Sequence, residues 1–395
     1  MLLLKRLTAL ILKKANLFSV IIKIPQYRET DLKHVLMKLV FTILNNEIKQ
    51  NISGKISPRC FFMKIKGKTA FLDSPPVVAG SAGVCGKKEG EGPLAGDFDA
   101  VFEDTTMGQD SYELAESAML HEAIILALKN SETAASDVNF VLSGDLLNQC
   151  MGSSFALKDL MVPSIGLYGA CSTMALSLSV GSMLVDCGAE CVAAATSSHF
   201  CSSERQFRYP LEYGGQRPPT AQWTVTGAGC AVVKKSGSGI KIPAVSIGTI
   251  CDMGITDANN MGAAMAPAAE KTIFDFLCDT KSAPLDYDMI LTGDLGYTGS
   301  QLLYELLEKE HGLDIREVHK DCGLLIFDRE KQDVNSGGSG CGCSASVLCS
   351  HILKQMREGK LKKVLFVATG ALMSPTSSKQ GQPIPGIAHA VMLEV

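Results

Sequence analysis

The chain has 395 residues, of which 46% are hydrophobic and 20% are charged, so it can bury one large core or two fused ones. Its formal net charge of −4 excludes the overall basic field that favours nucleic acid, and we expect no nucleic-acid partner. The fourteen cysteines lack the regular spacing of a small secreted disulfide framework. We therefore expect a globular protein in a reducing, cytoplasmic-type environment.

Residues 1–62 differ in charge from the rest of the chain. They hold eleven Lys or Arg and three acids, so their net charge is +8, against −12 for residues 63–395. The opening LLLKRLTALILKKANLFSVIIKI has too many lysines to span a membrane and suits a basic amphipathic helix lying on one. The alternative, which we favour, is a spurious leader, because Met63 begins MKIKGKTAFLDSP, which is typical of a natural start.

From Met63 onward, strand-like and helix-like runs alternate, which predicts an α/β fold with covered sheets. VNFVLSGDLLNQ (138–149) is followed later by the similar YDMILTGDLGYTG (287–299). GACSTMALSLSVGSMLVDCGAECVAAATSS (169–198) is likewise followed by GGSGCGCSASVLCSHILKQMREGKLKKVLFVATGA (337–371). We therefore predict a duplicated α/β unit, with halves at 63–240 and 241–395 and a site where the halves meet.

A tandem α/β duplication with a cysteine opening a buried small-residue helix resembles the thiolase superfamily. That resemblance implies a layered αβαβα fold over about residues 64–395. Seven stretches resemble more specifically the stage V sporulation protein AD family of endospore-forming bacteria: GDLLNQ, GACSTM, AATSSH, ERQFRYPLEYGGQRPPTAQWTVTGAG, GITDANNMGAAMAPAA, GGSGCGCSA and ATGALMSPT. This second resemblance implies binding of dipicolinic acid (pyridine-2,6-dicarboxylate) and its uptake into the developing spore by a peripheral protein of the inner membrane. We also expect a homodimer and partnership with other stage V sporulation A membrane proteins.

Cys171 opens the first small-residue helix, where unpaired N–H groups and the helix dipole favour a thiolate. The alternative is a buried cysteine that acts only as a small apolar residue. In the superfamily a second-half His and a further His or Asn assist the nucleophile. The matching positions hold Asp294 in LTGDLGYTG, and Cys341, Cys343 and Ser344 in GGSGCGCSA. A carboxylate is a weak base for a thiol and raises its pKa, so we predict a degenerate site with Cys171 as a vestigial nucleophile position.

Two histidines are candidates for the same pocket. His199 follows AATSS at the end of a strand. His389 lies in GIAHAVM, which resembles the C-terminal loop of the superfamily, although Gly386 stands where a cysteine is expected. His389 is therefore the better candidate to line the pocket.

A flat aromatic dianion needs donors for two carboxylates and an apolar face for its ring. ERQFRYPLEYGGQRPPT places Arg205, Arg208 and Arg217 near several aromatic residues. Arginine suits this task because its planar guanidinium pairs with a carboxylate through two hydrogen bonds. The alternative is a solvated loop with local ion pairs from Glu204 and Glu212.

If calcium accompanies the ligand, the oxygen donors are Asp145 or Asp294, although the sequence has no calcium loop and we assign no metal site. The predicted ligand-binding residues are Cys171, Asp145, Asp294, His199, Arg205, Arg208, Arg217, Cys343 and His389.

We predict a non-enzymatic dipicolinic acid-binding protein without a cofactor. One alternative is an active acyl-transferring or condensing enzyme that uses Cys171, with His389 as an unusual base. Another is a structural subunit whose pocket is vestigial.

Overall fold

The computed structural model describes residues 63–207 and 217–395. The predictions made for residues 1–62 and for Arg208 lie outside the described residues. In the two described ranges, no helix is both long enough and apolar enough to cross a membrane.

The described chain alternates strands and helices. The strands are β1 Lys64–Lys66, β2 Thr69–Phe71, β3 Val77–Gly86, β4 Ala100–Phe102, β5 Phe140–Gly144, β6 Ser164–Gly166, β7 Cys191–Ser198, β8 Trp223–Thr224, β9 Gly227–Lys234, β10 Ile240–Lys241, β11 Ala244–Ser246, β12 Met289–Thr292, β13 His319–Asp321, β14 Gly338–Ser339, β15 Lys363–Ala371 and β16 Gly386–Glu394. The α-helices are α1 Lys87–Gly90, α2 Tyr112–Asn130, α3 Met151–Leu157, α4 Thr173–Asp186, α5 Phe200–Phe207, α6 Met261–Thr280, α7 Gly296–His311, α8 Cys322–Leu325, α9 Cys341–Val347, α10 Leu353–Arg357 and α11 Pro375–Lys379. A π-helical turn, Leu348–Ile352, joins α9 to α10.

The two halves of the chain build half-sheets with the same strand order. The first runs β6-β5-β7-β9-β3, and only β9 is antiparallel to its neighbours. The second runs β13-β12-β15-β16-β11, and β16 is again antiparallel to both of its neighbours. The short strand β10 pairs with both β3 and β16 and joins the two half-sheets. The predicted duplication is therefore present in the fold, and the predicted boundary at 240/241 falls inside β10.

Helices cover and separate the half-sheets in the order that an αβαβα fold requires. Helix α2 packs on β3, β7 and β9, while α6 packs on β15 and β16. Helices α4 and α9, which follow the two predicted small-residue turns, lie between the half-sheets. Helix α4 contacts β5, β7, β15 and β16, and α9 contacts β3, β7 and β9. The predicted fold class is confirmed.

Glycine lets the middle helices approach the sheets closely. A Cβ atom on Gly229 of β9 would lie 2.3 Å from the backbone oxygen of Ala345 in α9. A Cβ atom on Gly370 of β15 would lie 2.4 Å from the backbone oxygen of Gly169, just before Cys171. A side chain at either position would clash with backbone atoms at these distances. Glycine there therefore allows α9 and the turn before Cys171 to pack directly against the strands.

The close approach at Gly229 predicts a large effect of one added methyl group. We expect Gly229→Ala to lower the free energy of unfolding by about 1–3 kcal/mol or more, because the clash is with backbone. Gly96→Ala is the matched control, since a Cβ atom there meets nothing within 4 Å. Thermal unfolding measures both variants, and equal melting temperatures would contradict the account.

Candidate functional site

Cys171 lies in a short turn at the junction of the two halves. The 3₁₀ turn Ala170–Ser172 carries it, and α4 begins two residues later at Thr173. The Ser172 hydroxyl donates to the backbone oxygen of Gly169 at 2.6 Å, and the Thr173 hydroxyl donates to that of Ala170 at 2.6 Å. Ala170, the residue before Cys171, has a φ of 48°, in the left-handed region that residues other than glycine seldom adopt.

Asp294 faces the Cys171 thiol, as the sequence analysis expects. It follows β12, and its fully buried carboxylate accepts hydrogen bonds from the Thr369 hydroxyl at 2.8 Å and the Gly340 N–H at 2.9 Å. The Cys171 thiol is a third hydrogen-bond partner of this carboxyl group. The backbone of Asp294 is held as well, because the Gln222 side-chain amide donates to its carbonyl oxygen at 2.6 Å.

The surroundings of Cys171 oppose ionisation of its thiol. Burial raises the pKa of Cys171 well above its ordinary value, and the charge of Asp294 raises it further. Burial also raises the pKa of Asp294 to about 7, against the lowering effect of hydrogen bonds from Cys171, Gly340 and Thr369. A thiol donating to a carboxyl group is therefore the stable arrangement, and it is the reverse of an activated nucleophile.

Cys341, rather than Cys343, packs beside Cys171. Cys341 opens α9, clusters with Cys171 and Ala170, and donates its S–H to the Ser197 backbone oxygen at 2.9 Å. Cys343 points into the main core, and its sulfur lies 3.7 Å from the Gly293 backbone oxygen. The sequence analysis placed both cysteines at the second small-residue turn but chose Cys343. The helix start at Cys341 decides which of them faces the junction.

A narrow cavity opens next to Cys171. Its volume is about 30 Å³, room for roughly one water molecule. Its lining consists of Leu146, Tyr168, Ala170, Cys171, Ser203, Phe207, Thr224, Met261, Ser339, Gly340, Ala371 and Met373. We call it the Cys171 cavity. None of the described residues that line it is a Lys, Arg or His.

Asp145 belongs to a buried pair of acids that raise the pKa of Cys341. Its carboxylate accepts from the Ser153 N–H at 2.7 Å and the Leu147 N–H at 2.9 Å. Glu116 of α2 is its acidic neighbour, and burial followed by the charge of Asp145 raises the pKa of Glu116 to about 8. The sequence analysis missed Glu116, because a glutamate inside an amphipathic helix carries no signal of burial.

The two candidate histidines are hydrogen-bonded away from the Cys171 cavity. The His199 ring bonds through Nε2 to the backbone oxygen of Thr105 at 2.9 Å, and Nδ1 accepts from the Cys201 N–H at 3.2 Å. His389 lies on β16, and its Nδ1 accepts from the Gly248 N–H at 3.1 Å. Burial lowers the pKa of both, to about 4 for His389, so neither is charged near neutral pH.

The described arginines also lie outside the Cys171 cavity. Arg205 of α5 forms an ion pair with Glu113. Arg217 stacks its guanidinium on the rings of Trp223 and Phe200 instead. No group of three His, Cys, Asp or Glu in ranges 63–207 and 217–395 is arranged to hold a metal ion. The carboxylates of Asp145 and Asp294 are each engaged by N–H and hydroxyl donors.

A family model described as stage V sporulation protein AD matches residues 66–394. The chain belongs to the stage V sporulation protein AD family. Stage V sporulation protein AD of Bacillus subtilis (strain 168) is 46% identical over 334 residues, which cover 84% of this chain and 98% of that relative. Membership of this family makes the chain a sporulation protein.

A solved structure with a TM-score above 0.5 supports the thiolase-like fold of this chain. OleA of Xanthomonas campestris with bound cerulenin matches with a TM-score of 0.53 and 12% identity, over 81% of this chain and 99% of that one. The 3-oxoacyl-[acyl-carrier-protein] synthase III of Aquifex aeolicus matches with a TM-score of 0.49 and 12% identity, over 81% and 100%. At these identities the likeness concerns the fold alone.

The buried acids predict how stability depends on pH. Burial is the chief cause of raised pKa values in four of them, to about 8 or less: Glu89, Glu116, Asp294 and Asp321. The folded state therefore holds more protons than the unfolded state, and the free energy of unfolding falls as the pH rises from about 6.5 to 8. The lowered pKa values of His319 and His389 act below that window, because an ordinary histidine titrates near about 6.5.

We therefore expect the melting temperature to be several degrees lower at about pH 8 than at about pH 6.5. Glu116→Gln removes one of the titrating groups and should flatten this slope. Differential scanning calorimetry measures the melting temperature at each pH. A melting temperature that stays constant or rises from about pH 6.5 to 8 would contradict the raised pKa values of the buried acids.

The contact between Cys171 and Asp294 predicts a change in thiol reactivity. Asp294→Asn removes the negative charge, so alkylation of Cys171 by iodoacetamide at about pH 8 should accelerate by about tenfold or more. Peptide mass spectrometry distinguishes Cys171 from the exposed Cys187 and Cys278. Asp321→Asn, another buried acid, is the control and should leave the rate unchanged. Equal alkylation rates in Asp294→Asn and wild type would show that Asp294 does not control the reactivity of Cys171.

Proposed function

We propose that the chain binds dipicolinic acid without chemical turnover and serves its uptake into the developing spore. The observation that carries this proposal is the Cys171 thiol, which donates to a buried carboxyl group and has no described imidazole beside it. Family membership supports the sporulation setting. A peripheral place at the spore inner membrane, a homodimer, and partnership with other stage V sporulation A membrane proteins belong to the same proposal.

The electrostatics of the Cys171 cavity favour a ligand whose charge is already neutralised. Asp294 contacts Cys171, which lines the cavity, and Asp145 and Glu116 raise the pKa of the neighbouring Cys341. A free dianion meets no cation among the described residues that line the cavity. The calcium chelate of dipicolinate has no net charge, so it enters this cavity at a smaller electrostatic cost.

The ring of the ligand needs more room than the cavity has. Ligand pockets typically measure roughly 300–1,000 Å³, whereas this cavity measures about 30 Å³. Met261 and Met373 line it, and methionine side chains move at low cost because they are unbranched. Binding therefore includes a displacement of these side chains, while Phe207 offers an aromatic face.

Calorimetric titration with dipicolinate, with and without calcium, tests the proposal. We expect the chelate to bind and Cys171→Leu to weaken binding by about tenfold or more, because two added carbons fill the cavity. Cys171→Ser keeps the size and a hydrogen-bond donor, so its affinity should remain within about threefold of wild type. If Cys171→Leu binds like wild type, the ligand does not occupy this cavity.

The competing function is an acyl-transferring enzyme that uses Cys171 as its nucleophile. The thiolase-like fold favours it, while the raised pKa of Cys171 opposes it. Incubation with acetyl-CoA and intact mass measurement decide between the two. We expect no adduct, and a stoichiometric acetyl adduct that disappears in Cys171→Ser would establish the enzyme.

A further inference from the structure

Helix α5 and strand β8 form a wall between the Cys171 cavity and a second cleft. Phe200 of α5 and Trp223 of β8 line the second cleft, whose volume is about 360 Å³. Ser203 of α5 and Thr224 of β8 line the Cys171 cavity. The side chains of Trp223 and Thr224 diverge because successive residues of a strand point to opposite faces. The wall therefore presents one face to each cavity.

The side chain of Ser203 faces the Cys171 cavity. Ser203 lies one helical turn before Phe207, which lines the same cavity, and residues four apart share one face of a helix. The Ser203 backbone N–H donates to the His199 backbone oxygen at 3.1 Å. Because this N–H is engaged within the helix, the hydroxyl is the donor that Ser203 brings to the cavity.

The Ser203 hydroxyl is buried and lacks a hydrogen-bond partner in the described part of the chain. Only 3% of the residue is exposed. Burial of a hydroxyl without a partner is unfavourable, and most buried polar side chains in proteins are paired. The neighbouring Ser202 follows that rule, because its hydroxyl donates to the Glu116 carboxylate at 2.7 Å. An unpaired hydroxyl in a cavity wall points to a ligand that accepts from it.

Three other donors at the Cys171 cavity are already engaged. The Thr224 hydroxyl donates to a glutamate of α5 at 3.2 Å. The Gly340 N–H donates to the Asp294 carboxylate at 2.9 Å, and the Cys171 thiol is hydrogen-bonded to the same carboxyl group. Ser203 therefore supplies a donor that remains available to a molecule in the cavity.

The calcium chelate of dipicolinate presents acceptors that suit a hydroxyl donor. Dipicolinate holds the metal through its ring nitrogen and one oxygen of each carboxyl group, so the second oxygen of each carboxyl group faces outward. An outer oxygen still carries negative charge, and a hydrogen bond to a charged acceptor is stronger than one between neutral groups. A hydroxyl thus binds the chelate without placing a cation in the cavity.

We propose that Ser203 gives the Cys171 cavity its specificity for a carboxylate-bearing ligand, by donating its hydroxyl hydrogen to an outer oxygen of the bound chelate. This inference rests on the proposed function, because it takes the Cys171 cavity as the ligand site. The hydroxyl then destabilises the free protein and stabilises the complex. A residue with a purely structural role does not have these opposite effects.

Two measurements on the full-length Ser203→Ala variant test these opposite effects. Calorimetric titration with dipicolinate in excess calcium should give a Kd about tenfold to a hundredfold above that of wild type, because a hydrogen bond to a charged acceptor is lost. Thermal unfolding without ligand should give a melting temperature equal to that of wild type or higher, because an unpaired buried hydroxyl is removed.

Ser300→Ala is the matched control. Ser300 lies in α7, is 1% exposed, and its hydroxyl also lacks a partner among the described residues. It is not one of the described residues that line the Cys171 cavity. Its replacement should change the melting temperature in the same direction as Ser203→Ala. The Kd of the Ser300→Ala variant for the chelate should stay within about threefold of wild type.

The outcomes separate this inference from the proposed function. If wild type binds the chelate and Ser203→Ala binds it within about threefold as tightly, the inference alone is overturned. Equal losses of affinity in Ser203→Ala and Ser300→Ala would also overturn it, since they would show an indirect effect. A lower melting temperature of ligand-free Ser203→Ala would mean that the hydroxyl stabilises the free protein, which contradicts the inference. Wild type that does not bind the chelate would contradict the proposed function itself.

Discussion

The structure depends on direct backbone contact between the strands and the layer formed by α4 and α9, which lie between the half-sheets. Gly229 of β9 touches α9, Gly370 of β15 touches the turn before Cys171, and a Cβ atom on Gly342 of α9 would lie 2.3 Å from the backbone oxygen of Gly227. These contacts require glycine, and they allow α4 and α9 to pack closely between the half-sheets. The turns at Cys171 and Cys341, which begin the two helices, are thereby forced together at the junction.

The same close packing determines the chemistry of the site. With little water nearby, burial is the largest cause of the raised pKa values of Cys171, Cys341 and Asp294. Ionisation is energetically unfavourable in such surroundings, so the thiol keeps its proton and donates it in a hydrogen bond to the carboxyl group. A base with a pKa near that of the thiol would be needed to reverse this, and the two candidate histidines, His199 and His389, are hydrogen-bonded to backbone groups instead.

The two cavities on either side of α5 and β8 differ in size and in lining. Uncharged residues line the Cys171 cavity, whereas Lys87, Lys88, Glu89 and Glu91 are among the residues that line the other cleft. Arg217, chosen from sequence as a carboxylate partner near Cys171, instead stacks on Trp223, whose side chain faces away from the Cys171 cavity.

The sequence by itself determined the duplication, the α/β class and the meeting of Cys171 with Asp294. The duplication and the class follow from local patterns, namely repeated strand-turn motifs and small-residue helices. The meeting of Cys171 with Asp294 is what the resemblance to the thiolase superfamily implies, because Asp294 stands where that superfamily has a second-half His. Tertiary structure alone decided which side chains face the junction. Cys341, and not Cys343, lies at the junction, and Glu116 is buried beside Asp145. His199 hydrogen-bonds to Thr105. The start of each helix and the face of each strand determine these side-chain directions. Residues far apart in the chain, such as Lys88, Arg217 and Trp223, carry no mutual signal until packing brings them within a few ångströms.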